Sequence, residues 1–208
     1  MSEGEAARPE TLAGLAQMAA ACTRCPLHAD ATQVVTGEGS ADAELMLVGE
    51  QPGDREDIEG RPFVGPAGQL LDTALGRVGI ERRSVYVTNA VKHFKHSLRG
   101  RRRIHEKPGA GEIDHCRWWL DAERAIVKPR LIVMLGATAA RGVLGKQVTI
   151  SKVRGVVKPI AEAPERGLVT MHPSALLRIA DEAAKRPAWE AFLTDLATAR
   201  DWLARPAA

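Results

Sequence analysis

Four short runs of long or β-branched apolar residues, each closing on glycine or a polar turn residue, set the limits on how this chain can fold. They fall at 44–49 (ELMLVG), 84–89 (SVYVTN), 130–136 (RLIVMLG) and 167–172 (GLVTMH). Runs this short, apolar on both faces, read as buried parallel strands rather than as amphipathic helices. Helical spacing separates them. Leu70, Leu71, Ala74, Leu75 and Val78 share one face of a predicted helix over 67–78, which starts behind Pro66 and stops at Gly79. Further helices are predicted over 112–127, ending before Pro129, and over 187–203, where Trp189, Phe192, Leu193, Leu196 and Trp202 form an apolar stripe. Strand alternating with helix predicts an α/β/α sandwich around a four-stranded parallel sheet. One domain over 1–208 is expected, with 1–9 flexible.

In such a sheet the ligand site forms beyond the carboxyl ends of the strands. Those ends carry Gly49-Glu50-Gln51-Pro52-Gly53-Asp54, Asn89, Gly136-Ala137-Thr138 and His172-Pro173-Ser174, so turn-forming polar residues converge on one rim. With 208 residues, 45% of them hydrophobic, the chain can bury one sizeable core. No window approaches the roughly 18 apolar residues of a membrane helix, and no basic-then-apolar leader opens the sequence. A soluble, cytoplasmic monomer is the expectation.

The formal charge of +3 is unevenly spread. Lys92, Lys95, Arg99, Arg101, Arg102, Arg103 and Lys107 face a single acid, Glu106, within one short segment. Such a cluster is either a solvated basic loop or a phosphate-binding element. Three cysteines cannot close a disulfide framework and, in a reducing compartment, direct attention to metal binding. Cys22-Thr23-Arg24-Cys25 with the distant Cys116 leaves one position of a four-ligand site open.

Taken in order, Gly-Glu-Gln-Pro-Gly-Asp (49–54), Pro-Phe-Val-Gly-Pro-Ala-Gly (62–68), Asn89 and His-Pro-Ser (172–174) resemble the motifs of the uracil-DNA glycosylase superfamily. The resemblance runs from about Cys22 to Leu203. Within the superfamily the chain is most similar to the iron–sulfur branch (family four), and there to the UdgX type, because of Arg101-Arg102-Arg103-Ile104-His105.

The resemblance implies a set of roles that the chemistry of uracil excision makes sensible. A flipped base is read through its hydrogen-bonding edge and by stacking, for which Phe63 and Asn89 are the candidates, with Gly49 and Asp54 beside them. Breaking the N-glycosidic bond creates a sugar cation and a uracil anion; Glu50 suits the first, while His172 and Gln51 suit the second. Arg101, Arg102, Arg103, Lys92 and Ser174 are expected on the DNA backbone. Cys22, Cys25, His93 and Cys116 are expected to hold a [4Fe–4S] cluster, with His96 and His115 as rivals for the histidine position; three cysteines and a histidine would serve zinc as well. The cluster's expected role is that of a structural staple. In proteins of the UdgX type a histidine placed like His105 captures the deoxyribose covalently, so the same is expected here, with uracil-containing DNA as partner and single strands preferred. A multiple-turnover glycosylase that releases an abasic site, and a non-catalytic DNA-binding module, are the alternatives.

Overall fold

A computed structural model describes residues 8–206. In chain order it contains α1 (Leu12–Ala19), β1 (Leu45–Gly49), α2 (Asp54–Glu59), α3 (Pro66–Arg77), β2 (Val85–Asn89), β3 (His96–Arg99), β4 (Arg102–His105), α4 (Ala110–Val127), β5 (Leu131–Leu135), α5 (Gly136–Leu144), α6 (Ile150–Val153), β6 (Val157–Pro159), β7 (Arg166–Thr170), α7 (Pro173–Leu177) and α8 (Glu182–Leu203). The expected flexibility of 1–9 lies mostly outside the described residues.

The four predicted strands form a parallel sheet, as expected, but a fifth joins them. Sheet order is β2-β1-β5-β7-β6, with β6 antiparallel to β7. Its three residues end in Pro159, a residue tolerated on a sheet edge because it has no ladder hydrogen to donate. A second departure lies in the basic segment, where β3 and β4 pair as an antiparallel hairpin separate from the main sheet. Gly100 takes a positive φ of 65° in the turn between them.

Alternation along the strands divides the core into two layers. Leu45, Leu47, Val85, Val87, Leu131 and Val133 pack with Leu71 and Leu75 of α3 and with Phe192 and Leu196 of α8. Met46, Val48, Tyr86, Ile132 and Met134 face the other way, onto Leu120 of α4 and Ala139, Ala140 and Val143 of α5. Each fully buried Leu, Ile or Val contributes about 1.5–3 kcal/mol by leaving water, so the paired layers fix which strand ends meet. The strands on either side of β1 are reached by chain running in opposite directions, which opens a crevice where β1 and β5 end.

No helix among the described residues is long and apolar enough to cross a membrane.

Candidate active site

Glu50 follows β1 directly and sits at that crevice. Its Oε2 accepts a hydrogen bond from Thr138 Oγ1 on α5, at 2.5 Å. On its other side Glu50 Oε1 lies 3.3 Å from Nε2 of His105, at the end of β4. Burial would raise the carboxyl's pKa, yet the hydrogen bonds from His105 and Thr138, with the nearby His172, hold it below the ordinary carboxylate value. Glu50 is therefore an anion in a half-buried site.

His172 is held as a neutral donor. Its Nδ1 accepts from the backbone N–H of Ser174 at 3.2 Å and lies 2.8 Å from Ser174 Oγ, which itself accepts from Arg178 Nη1 at 3.2 Å. With Nδ1 occupied as an acceptor, the ring proton belongs on Nε2. Burial, reinforced by Arg178 and His105 and opposed by Glu50, pushes the imidazole pKa down to about 4.

Phe63 and Asn89 form the floor beside these groups. The Phe63 ring lies 6.3 Å from that of His172, tilted by only 28°. A Cβ on Gly49 would stand 2.4 Å from Asn89 Oδ1 and 2.6 Å from Phe63 Cζ, so only glycine lets both side chains reach this point. Phe63 itself adopts a left-handed φ of 58°. Such a conformation is strained for an aromatic residue and persists only where the surroundings impose it. Here Gly68 does so: a Cβ there would fall 1.8 Å from the Phe63 carbonyl oxygen, too close for any other residue. Among the described residues the Asn89 side-chain amide makes no hydrogen bond, which leaves its donor and acceptor free although the residue is only 2% exposed.

Other expectations are corrected by the geometry. Gln51 is not a free donor: Nε2 donates to the carbonyls of Lys95 and Glu106, at 3.1 and 3.0 Å, and Oε1 accepts from Lys95 N. It ties the foot of the β3–β4 hairpin to the strand end that bears Glu50. Asp54, expected near uracil, instead begins α2 and accepts from Arg103 Nε at 2.6 Å. Arg103 also reaches Asp57 and Thr32 Oγ1, so it anchors the hairpin rather than meeting phosphate. Lys92 is fully buried, its Nζ 2.6 Å from Glu123 Oε2 and 2.8 Å from the Asn89 carbonyl, and cannot touch DNA. Ser174 is likewise engaged with His172 and Arg178. Arg101 and Arg102 remain exposed, as a backbone contact requires. Glu106 projects into solvent while its backbone amide bonds to the Lys95 carbonyl.

Cys22, Cys25 and Cys116 are buried in one apolar cluster with Leu15, Leu27, Ile113 and Trp119. Two N–H groups aim at their sulfurs: Trp119 Nε1 at Cys22 Sγ, 3.1 Å, and Lys92 N at Cys116 Sγ, 3.2 Å. Thiols are weak acceptors and thiolates strong ones, so these donors fit metal-bound sulfur. Burial pushes the Cys116 thiol up to about 12, against the opposing pull of Lys92. His93 is 4% exposed and its Nδ1 is buried without a hydrogen-bond partner, whereas His115 is exposed and bonded to the Gly111 carbonyl, and His96 stacks on Phe94. The orphaned nitrogen favours His93 over both rivals. Among the described residues, no group of three or more His, Cys, Asp or Glu side chains stands close enough together to hold a single metal ion.

The family model described as Uracil DNA glycosylase superfamily matches residues 36–196, a span that includes Glu50, Phe63, Asn89, His105 and His172. The chain belongs to that superfamily. Among curated relatives, a Type-4 uracil-DNA glycosylase of Thermotoga maritima is 42% identical over 82% of this chain and 85% of its own length. Type-4 enzymes of Pyrobaculum aerophilum and Archaeoglobus fulgidus are 38% and 34% identical, over 76% and 81% of this chain and 80% and 84% of theirs. Sequence reasoning placed Thr138 at the rim without giving it a role; its hydroxyl completes the Glu50 site. The available signal was its position just after the third parallel strand.

Proposed function

We infer that this superfamily member excises uracil from DNA and captures the exposed deoxyribose C1′ through His105. The observation that carries the reading is the shared position of Glu50 and His105: a carboxylate and an imidazole 3.3 Å apart can both address one anomeric carbon. Phe63 stacks on the flipped base, and Asn89 reads its imide N–H and adjacent carbonyl. The His172 Nε2–H donates to the uracil oxygen as negative charge grows there; being neutral, it keeps that proton instead of surrendering it. The C1′–N1 bond breaks with its electron pair on uracil, and Glu50 stabilises the sugar cation. A nitrogen lone pair of His105 then bonds to C1′. The resulting imidazolium releases its remaining ring proton to water, and the uracil anion takes one up. Because imidazole is held on the sugar by a C–N bond without an easy leaving group, the protein stays attached.

Arg101 and Arg102 supply the sequence-independent attraction to phosphate. Cys22, Cys25, His93 and Cys116 would hold a [4Fe–4S] cluster, which clamps the N-terminal segment, the approach to the hairpin and α4 together. The neighbouring groups support that assignment through the N–H donors aimed at sulfur and the unpartnered His93 nitrogen.

Denaturing electrophoresis with a uracil-containing single strand tests the reading. Wild type is expected to give a shifted, denaturation-resistant band. His105→Ser should lose the band yet still release uracil, since water can take the vacated place; Glu50→Gln should fail at both steps. No band from wild type, with uracil released over many turnovers, would favour a conventional glycosylase. Loss of uracil release in His105→Ser would make His105 an aid to cleavage and end the capture reading.

A further inference from the structure

The β3–β4 hairpin has more on its surface than phosphate-binding arginines. Leu98 is 71% exposed, more than any other large hydrophobic residue among the described ones, and lies immediately before the tip residues Arg99, Gly100, Arg101 and Arg102. Isolated exposed leucines are common and need no explanation. This one has a defined setting. Leu98 pairs across the hairpin with Arg103, and His96 pairs with His105; paired residues share a face, so Leu98 stands on the same face as the histidine. Leu98 and His105 are thus diagonal neighbours across the hairpin, about 7–8 Å apart. That is about twice the 3.4 Å stacking step of a DNA strand, the opening that one inserted side chain creates. The hairpin is also rigidly seated, with Gln51 bonded across its foot and Arg103 fastened to Asp54 and Thr32. A flexible loop would lose much of the benefit of insertion to ordering entropy; an anchored ribbon does not.

We propose that Leu98 is a wedge that inserts between bases of the DNA strand next to the captured nucleotide, with Arg99, Arg101 and Arg102 on the flanking phosphates. The proposal rests on the DNA-binding part of the function inferred above and goes beyond it by assigning an apolar contact and a partner conformation. Charge complementarity selects a polyanion, and the apolar side chain among the arginines selects one whose bases are accessible. Single-stranded DNA has both properties; in a duplex the same insertion costs a few kcal/mol of unstacking.

Uracil-free single-stranded DNA separates this contact from the chemistry at Glu50 and His105. Affinity of the full chain is measured against salt concentration for wild type, Leu98→Ser, Arg101→Ala and, as a control, Met18→Ser, whose methionine is 41% exposed on α1. Leu98→Ser should weaken binding about 10-fold at every salt concentration with an unchanged slope, because the lost term is not electrostatic. Arg101→Ala should flatten the slope, and Met18→Ser should match wild type. With duplex DNA the Leu98→Ser loss should be smaller. If Leu98→Ser binds single strands as wild type does, or if Met18→Ser weakens binding equally, the wedge is refuted while the DNA reading stands. Failure of wild type to bind any DNA would overturn both.

Discussion

Gly49→Ala perturbs the proposed uracil pocket between Phe63 and Asn89 with one methyl group and leaves every polar atom in place. The new Cβ would lie 2.4 Å from Asn89 Oδ1 and 2.6 Å from Phe63 Cζ, with Phe63 Cε2 at 3.2 Å. Restoring ordinary contact requires each of the two closest atoms to retreat by about 1 Å, a displacement that in a reacting site costs on the order of 10²-fold in rate. Phe63 cannot yield easily, because its backbone is wedged against Gly68 at a left-handed φ. Overpacking should also cost about 1–3 kcal/mol of stability, enough to lower the melting temperature without unfolding the protein. The assay is single-turnover uracil release with enzyme in excess, run beside a thermal melt and a binding measurement on uracil-free DNA. The expected result is a rate about 10²-fold lower with uracil-free binding unchanged. Wild-type excision by Gly49→Ala would mean that Phe63 and Asn89 are not where uracil sits.

Lys92→Met should destabilise the protein by about 3–5 kcal/mol through the unpaired buried Glu123, and Lys92→Met/Glu123→Leu should recover much of that; a flatter salt slope in DNA binding without loss of stability would restore Lys92 to the DNA surface. Arg103→Ala should loosen the hairpin and reduce adduct yield with little change in the salt slope, whereas Arg102→Ala should lower the slope by about 1, as read from binding titrations. Burial depresses the His172 pKa to about 4 from the ordinary 6.5, so between those pH values the unfolded chain binds more protons than the native one. Its contribution to stability is therefore complete above that window and declines as pH falls through it, and melting temperatures of wild type should drop more steeply on acidification than those of His172→Gln. Purified protein should be brown, with about four irons per chain by elemental analysis, and colourless protein carrying stoichiometric zinc would remove the cluster.

The parallel strands were legible because each is a continuous apolar run with a turn at its end, and the candidate site was legible because those turns bring Glu50, Asn89 and His172 to one rim. What escaped was pairing that depends on tertiary contact. The segment from His96 to His105 reads as a basic loop, since its strands are four residues long and lack a buried face; only Arg103 on Asp54, and Gln51 at the foot, make it an ordered ribbon. β6 was invisible for a similar reason, being three residues long and ending in proline. Lys92 looked like a surface charge by type, yet it follows the buried Ala90 and Val91, and its partner Glu123 lies 31 residues further on. Gln51 matched a motif position, but a motif does not say which way a side chain turns. The Glu50–Thr138 contact stayed hidden because Thr138 reaches the carboxylate from the first turn of α5, 88 residues away in sequence.

Peptide mapping by mass spectrometry tests directly for the proposed covalent bond between His105 and the deoxyribose. Wild-type protein is incubated with a uracil-containing single strand, the DNA is trimmed with nuclease, and the protein is digested. The account requires the peptide bearing His105 to carry a sugar–phosphate remnant, with fragmentation placing it on the imidazole and an equivalent of uracil in solution. An unmodified His105 peptide alongside free abasic DNA would contradict it.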